Sequence, residues 1–135
     1  MKKIICAGLL SASTICQAEV AVIVHPSNSN NMDATGITHL FLGKAKAFPD
    51  GSTAIPINQP ESSSSSAEFM DKVLNKSASQ LKAYWSKLLF TGQGTPPKEV
   101  NSDADVLKLV AENPNTIGYI DANNVTANVK VAAKF

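Results

Sequence analysis

The chain has 135 residues and a mass of 14.2 kDa. That is one domain's worth of polypeptide and excludes a two-lobed receptor or a multidomain enzyme within it. With 44% hydrophobic and 17% charged residues the composition is globular, and a formal net charge of +1 argues against nucleic-acid binding by bulk charge. All 12 basic residues are Lys and none is Arg. Any anion site must therefore use backbone N–H groups, hydroxyls or Lys point charges, because the planar two-bond grip of a guanidinium is absent.

Met1-Lys2-Lys3, an apolar run from Ile4 to Ile15, and Cys16-Gln17-Ala18 have the layout of a secretory signal, with cleavage expected after Ala18. The run is shorter than the roughly 20 residues of a membrane span. Ile15 before Cys16, where a small residue is normal, argues against a lipid anchor. Removing residues 1–18 takes away both cysteines, Cys6 and Cys16, and leaves 117 residues with 10 Lys against 11 acids. The exported domain, residues 19–135, then rests on its core without disulfides. It also has no Cys nucleophile and no Cys-based zinc site. The leader and the lack of a cysteine framework point to a bacterial periplasm.

Val20 to Val24 is a continuous apolar, mostly β-branched run, predicting a buried strand of a parallel or mixed sheet. A polar loop, Ser27 to Asn31, follows. Asp33 is placed to cap a short helix carrying Ile37, Leu40 and Phe41, stopped by Gly43. Phe48 to Gly51 reads as a turn and Thr53 to Ile57 as a second strand. Beyond the five serines Ser62 to Ser66, a helix places Phe69, Met70, Val73 and Leu74 on one face. A longer helix from Ser77 or Ser79 carries a stripe of Leu81, Tyr84, Trp85, Leu88 and Leu89. After the loop Thr91 to Pro97, Ser102 to Asp105 caps a helix with Val106, Leu107, Leu109 and Val110 inward, stopped by Pro114. Ile117 to Ile120 predicts a strand, Asp121 to Asn124 a turn, and Val129 to Phe135 a last strand. The order β-α-β-α-α-α-β-β is α/β with a mixed central sheet flanked by helices.

The serine tract before a helix is the chemically informative segment. A helix N-terminus offers unpaired N–H donors and partial positive charge, and hydroxyls add rotatable donors, so together they form an oxyanion cradle without Arg. The competing reading is a flexible serine linker followed by an ordinary cap at Ser66. Glu61 and Glu68 stand near the cradle and would repel a dianion unless they accept a bond from a protonated ligand. His25 and His39 lack metal-ligand spacing, no G-x-S-x-G elbow is present, and Gly92-Gln93-Gly94 lacks a P-loop lysine. No metal, cofactor or catalytic residue is expected. Trp85 and Tyr84 have the spacing of core or interface residues rather than of a sugar platform.

Several segments occur in an order that resembles the phosphate ABC transporter substrate-binding protein family of the periplasmic binding-protein type. They are Phe41-Leu42-Gly43-Lys44, Ile55-Pro56-Ile57-Asn58-Gln59-Pro60, the serines with Phe69, Lys82-Ala83-Tyr84-Trp85, Phe90-Thr91-Gly92 and Asn115-Thr116-Ile117-Gly118-Tyr119-Ile120. The resemblance covers one lobe of a two-lobed family and implies a single periplasmic-binding-protein-like domain, not an enzyme. It further implies phosphate or a similar oxyanion as ligand and an ABC permease as partner. The family's matching lobe has Arg, three residues, then Ser-Gly-Thr at a helix N-terminus. Here Gln59 stands in the Arg place and Ser63-Ser64-Ser65 in the Ser-Gly-Thr place. The ligand-binding residues so implied are Gln59, Ser62, Ser63, Ser64, Ser65 and Ser66. Charge-assisted bonds contribute about 1.5–3 kcal/mol each, against an association cost on the order of 4–15 kcal/mol. One open lobe without Arg is therefore expected to bind phosphate weakly unless a second copy or another protein closes the site. The alternative is an interaction or sensing module that kept the lobe fold and lost the ligand.

Overall fold

The structure, a computed structural model, describes residues 19–135. The expected leader, its cleavage point and both cysteines lie outside the described residues. The elements run β1 (Val20–Val24), α1 (Ala34–Phe41), β2 (Ile55–Asn58), α2 (Ser64–Phe69) continuing into a π-helical turn (Met70–Leu74), and α3 (Ala78–Phe90). They continue with β3 (Lys98–Glu99), α4 (Asp103–Glu112), β4 (Thr116–Asp121), a 3₁₀ turn (Ala122–Asn124) and β5 (Lys130–Lys134).

One sheet has the order β3-β2-β4-β1-β5. It is mixed: β2 runs parallel to β3 and β4, whereas β1 is antiparallel to both β4 and β5. All five residues of β1 are buried because helices cover both faces, which is why the strand is apolar without alternation. Val20, Val22 and Val24 face a core shared with α1, α2 and the π turn; Ala21 and Ile23 face the core under α4. Within the first core Phe69 stacks on Tyr119 with ring centroids 4.0 Å apart, and Phe41 meets Phe69 edge-on at 4.7 Å. Helix α4 comes close to β4 at Gly118, where an added Cβ would lie 2.5 Å from Val106 Cγ1.

Two expectations need correction. The second strand starts at Ile55 rather than Thr53, and a two-residue strand, β3, forms in the segment between the Thr91–Pro97 loop and α4. The serine tract is not a linker: Ser63 is the N-cap and Ser64 to Ser66 form the first turn of α2. Ser66 is therefore an interior helical residue and not the cap. On α3, read as carrying a core or interface stripe, Leu81 and Tyr84 pack half-buried against the first core, although none of its 13 residues is fully buried. Ser77 and Gln80 start this helix with a reciprocal capping box. It is tied to the body by the Tyr84 hydroxyl donating to Leu42 O at 2.7 Å and by Trp85 lying 3.2 Å from where a Gly43 Cβ would stand.

Candidate functional site

The serines follow the carboxyl end of β2, next to the carboxyl end of β4, which is where α/β sheets carry their ligand-binding loops. Strand β2 ends at Asn58, the chain turns through Gln59 to Ser62, and α2 begins. Gln59 is 2% exposed. Its Nε2 donates to Tyr119 O at 2.9 Å and to Asp103 Oδ1 at 2.7 Å. Its Oε1 accepts from Ser63 Oγ at 2.7 Å. Ser63 Oγ in turn accepts from Ser66 N–H at 3.4 Å, closing the N-cap.

All these contacts lead to Asp103, at the start of α4. Its Oδ1 accepts from Gln59 Nε2 and, at 2.9 Å, from Ser65 Oγ. Its Oδ2 accepts from Asp121 N–H at 3.1 Å and from Asn124 Nδ2 at 2.9 Å. Two bonds to each oxygen fill the acceptor capacity of a carboxylate. Burial alone would push this carboxyl up, but the bonds from Asn124, Gln59, the Asp121 N–H and Ser65 together hold it below the ordinary carboxylate range. The cradle foreseen at the serines thus already holds an oxyanion, and it is the chain's own.

Tyr119 supports the site from the core. Burial raises its phenol above the usual value, so it stays protonated and donates to Asn58 Oδ1, and it accepts from Gln59 N–H at 3.1 Å. Ser66 is buried and its hydroxyl bonds toward the same phenol. Of the six residues named from the sequence, Gln59, Ser63 and Ser65 are brought together in this network, with Ser66 beneath it. Ser62 and Ser64 are exposed and face solvent. Ser64 and Ser65 line a small cleft of about 60 Å³ together with Glu19, Glu68 and Asp121. Glu68 also pairs with Lys72 at 3.0 Å, and Glu61 is exposed.

Sequence reasoning missed Asp103, Tyr119, Asn58 and Asn124. A buried Gln in a turn before a cap, in a chain without Arg, is a signal that an acceptor must come from elsewhere, although it does not say which. The histidines stay outside the site: His25 Nδ1 is 2.7 Å from Ser27 Oγ on the exposed loop after β1. Among the described residues no group of three or more His, Cys, Asp or Glu is arranged to hold a metal ion, and no helix is long and apolar enough to cross a membrane.

No protein-family model and no curated protein sequence matches the chain. Solved structures do. A phosphate ABC transporter substrate-binding protein with bound phosphate from Clostridium perfringens superposes with a TM-score of 0.67 at 18% identity, over 84% of this chain and 44% of that one. An ABC-type phosphate transport receptor from Vibrio cholerae gives 0.63 at 17% identity, over 84% and 45%. PstS from Borrelia burgdorferi gives 0.58 at 19% identity, over 78% and 41%. The chain spans less than half the length of these proteins. The common ground is the fold: this chain has the architecture of a single lobe of the phosphate ABC transporter substrate-binding proteins.

Proposed function

We propose that the chain is an exported, single-lobe oxyanion-binding protein of the phosphate substrate-binding type, acting as a receptor or accessory in uptake or sensing and catalysing no reaction. The observation that supports this reading is the exposure of Ser62 and Ser64 at the start of α2, beside Gln59 and Ser65, which serve Asp103. Donors placed to hold one oxyanion internally leave the neighbouring Ser62 and Ser64 hydroxyls, and the first N–H groups of the helix, for a second from solution. The carboxylates of Glu68 and Asp121 in the adjoining cleft select the ligand. They repel a fully ionised anion and accept a bond from a protonated one, so phosphate is favoured over sulfate. Binding by one open lobe is weak, and a second copy or another protein completes the site. Its setting is the periplasm, with residues 1–18 as leader, and an ABC permease is the partner downstream.

The test is an NMR titration of the protein with phosphate and, separately, sulfate, with a solution mass measured alongside. Saturable shifts at residues 62–68 with phosphate but not sulfate support the reading. No shift up to about 50 mM phosphate, far weaker than the ~4 kcal/mol of a millimolar complex, overturns it. Tight phosphate binding by a strict monomer overturns the second-partner clause alone.

A second reading is favoured by the saturation of Asp103: a lobe whose anion donors are engaged by its own carboxylate and which works by docking a protein. A flat phosphate titration would leave this reading standing.

A further inference from the structure

A second feature begins at the opposite, amino end of β2 and has no part in the serine network. A groove of about 550 Å³ runs between the end of α1, the start of β2, the side of α3 and the loop before β3, with Trp85, Leu89, Ile55 and Pro96 among its walls. The large hydrophobic residues left exposed among the described residues are Ile55, Leu89 at 52% and Phe90 at 93%, and all three lie in this groove or next to it in the chain. Exposed apolar residues scattered singly need no explanation, but gathered along a groove they mark a contact surface.

The charged residues in the lining of the groove are of one sign. Lys46 and Lys98 line it, and Lys44 follows the lining residue Gly43. Lys82 stands three residues before Trp85 and seven before Leu89, on the same helix face. All four are exposed, and none makes an ion pair among the described residues. No carboxylate lines the groove. The stretches that line it, residues 40–46, 54–56 and 85–98, contain no Asp or Glu. Of the chain's 11 acids, Glu99 adjoins the lining residue Lys98 in sequence, and none of the 11 is in the lining. With Lys but no carboxylate in its lining, the groove carries a locally positive field.

We propose that this groove docks a protein partner through an amphipathic segment whose apolar side chains enter beside Trp85 and whose Asp and Glu residues meet Lys44, Lys46, Lys82 and Lys98. The concavity decides for a protein over an anionic lipid surface. A bilayer presents a flat boundary and would leave the groove unfilled, whereas a helix or turn supplies the protruding side chain that the groove accepts. The proposal is independent of phosphate binding, since the groove and the serines share no lining residue.

Trp85 is the chain's single tryptophan, so its fluorescence reports occupancy directly. The protein is titrated, without phosphate, with a synthetic amphipathic helix edged by Glu, with the same helix edged by Lys, and with vesicles containing phosphatidylglycerol. The expected result is a saturable blue shift with the Glu-edged helix alone, with apparent affinity reduced at least about fivefold by K46E/K98E and by added salt. K44E/K82E serves as a second variant if circular dichroism shows that the first is misfolded. An equal response to the Lys-edged helix, a response to vesicles only, or no response overturns the proposal. So does a shift that follows protein concentration without peptide, which assigns the groove to a second copy.

Discussion

Gln59 and Asp103, 44 residues apart in sequence, are joined by a 2.7 Å hydrogen bond in which a buried neutral amide serves an anionic carboxylate. The amide also bonds Tyr119 O and accepts from Ser63 Oγ, so one side chain links the β2 turn, β4, α2 and α4. Q59L should leave Tyr119 O and Ser63 Oγ short of a partner and remove a donor from Asp103. Urea unfolding should show a loss of about 2 kcal/mol, within the range for orphaned buried polar groups. An unchanged midpoint would mean that water replaces the amide.

The Asp103 carboxyl is held below its ordinary range in the folded state, while its unfolded value is near 3.9. Its contribution to stability is therefore present above about pH 4 and is lost as the pH falls through the lower folded value. Asp50, whose carboxyl is lowered by hydrogen bonds from Ser52 and Asn30, acts in the same direction. Urea midpoints measured from pH 6 to about pH 2 should fall on acidification. D103N should be less stable at neutral pH and show a shallower decline, with the Asp50 part remaining.

Gly118 sets how closely α4 lies on β4. A methyl group there would stand 2.5 Å from Val106 Cγ1, inside contact distance. G118A should cost about 1–3 kcal/mol by overpacking. G118A/V106A should recover part of that loss in thermal unfolding, because removing the valine methyls opens the space. Equal stability of the single and double variants would place the strain elsewhere.

Glu68 lines the cleft beside the exposed serine Ser64. If carboxylates there select a protonated oxyanion, E68Q should narrow the preference for phosphate over sulfate severalfold, mainly by admitting sulfate. Competition NMR reads this directly, and an unchanged ratio would remove Glu68 from ligand selection.

What the sequence made legible was set by local chemistry. The unbroken apolar run of β1, the Asp33 cap and the start of α3 at Ser77, the first of its two expected positions, each have a short-range cause, and each formed as expected. The mixed sheet and the lobe architecture followed from the element order and the resemblance. The interior of the site was not legible. Asp103 reads locally as one more acid at a helix start, stabilised there by the helix dipole. Its second role depends on α4 bringing it beside Gln59, a tertiary relationship that no spacing encodes. The α3 stripe, read as core or interface, divides between the two: Leu81 and Tyr84 pack on the first core while Leu89 stays exposed, a division that helical period alone does not encode.

At the other side of the sheet, Val20 and Phe135 exchange both of their backbone hydrogen bonds, at 3.0 and 2.9 Å. Val20 and Phe135 are thus zipped together as neighbours, with residues 21–134 looped out between them. A segment whose two bounding residues lie side by side can be spliced into a host chain through a pair of short connectors, or cut and rejoined elsewhere, without disturbing its interior. In engineering terms the lobe is a cassette. Bridging residues 19 and 135 and opening the chain at the exposed Asp50–Gly51 turn should yield a circular permutant with the same sheet.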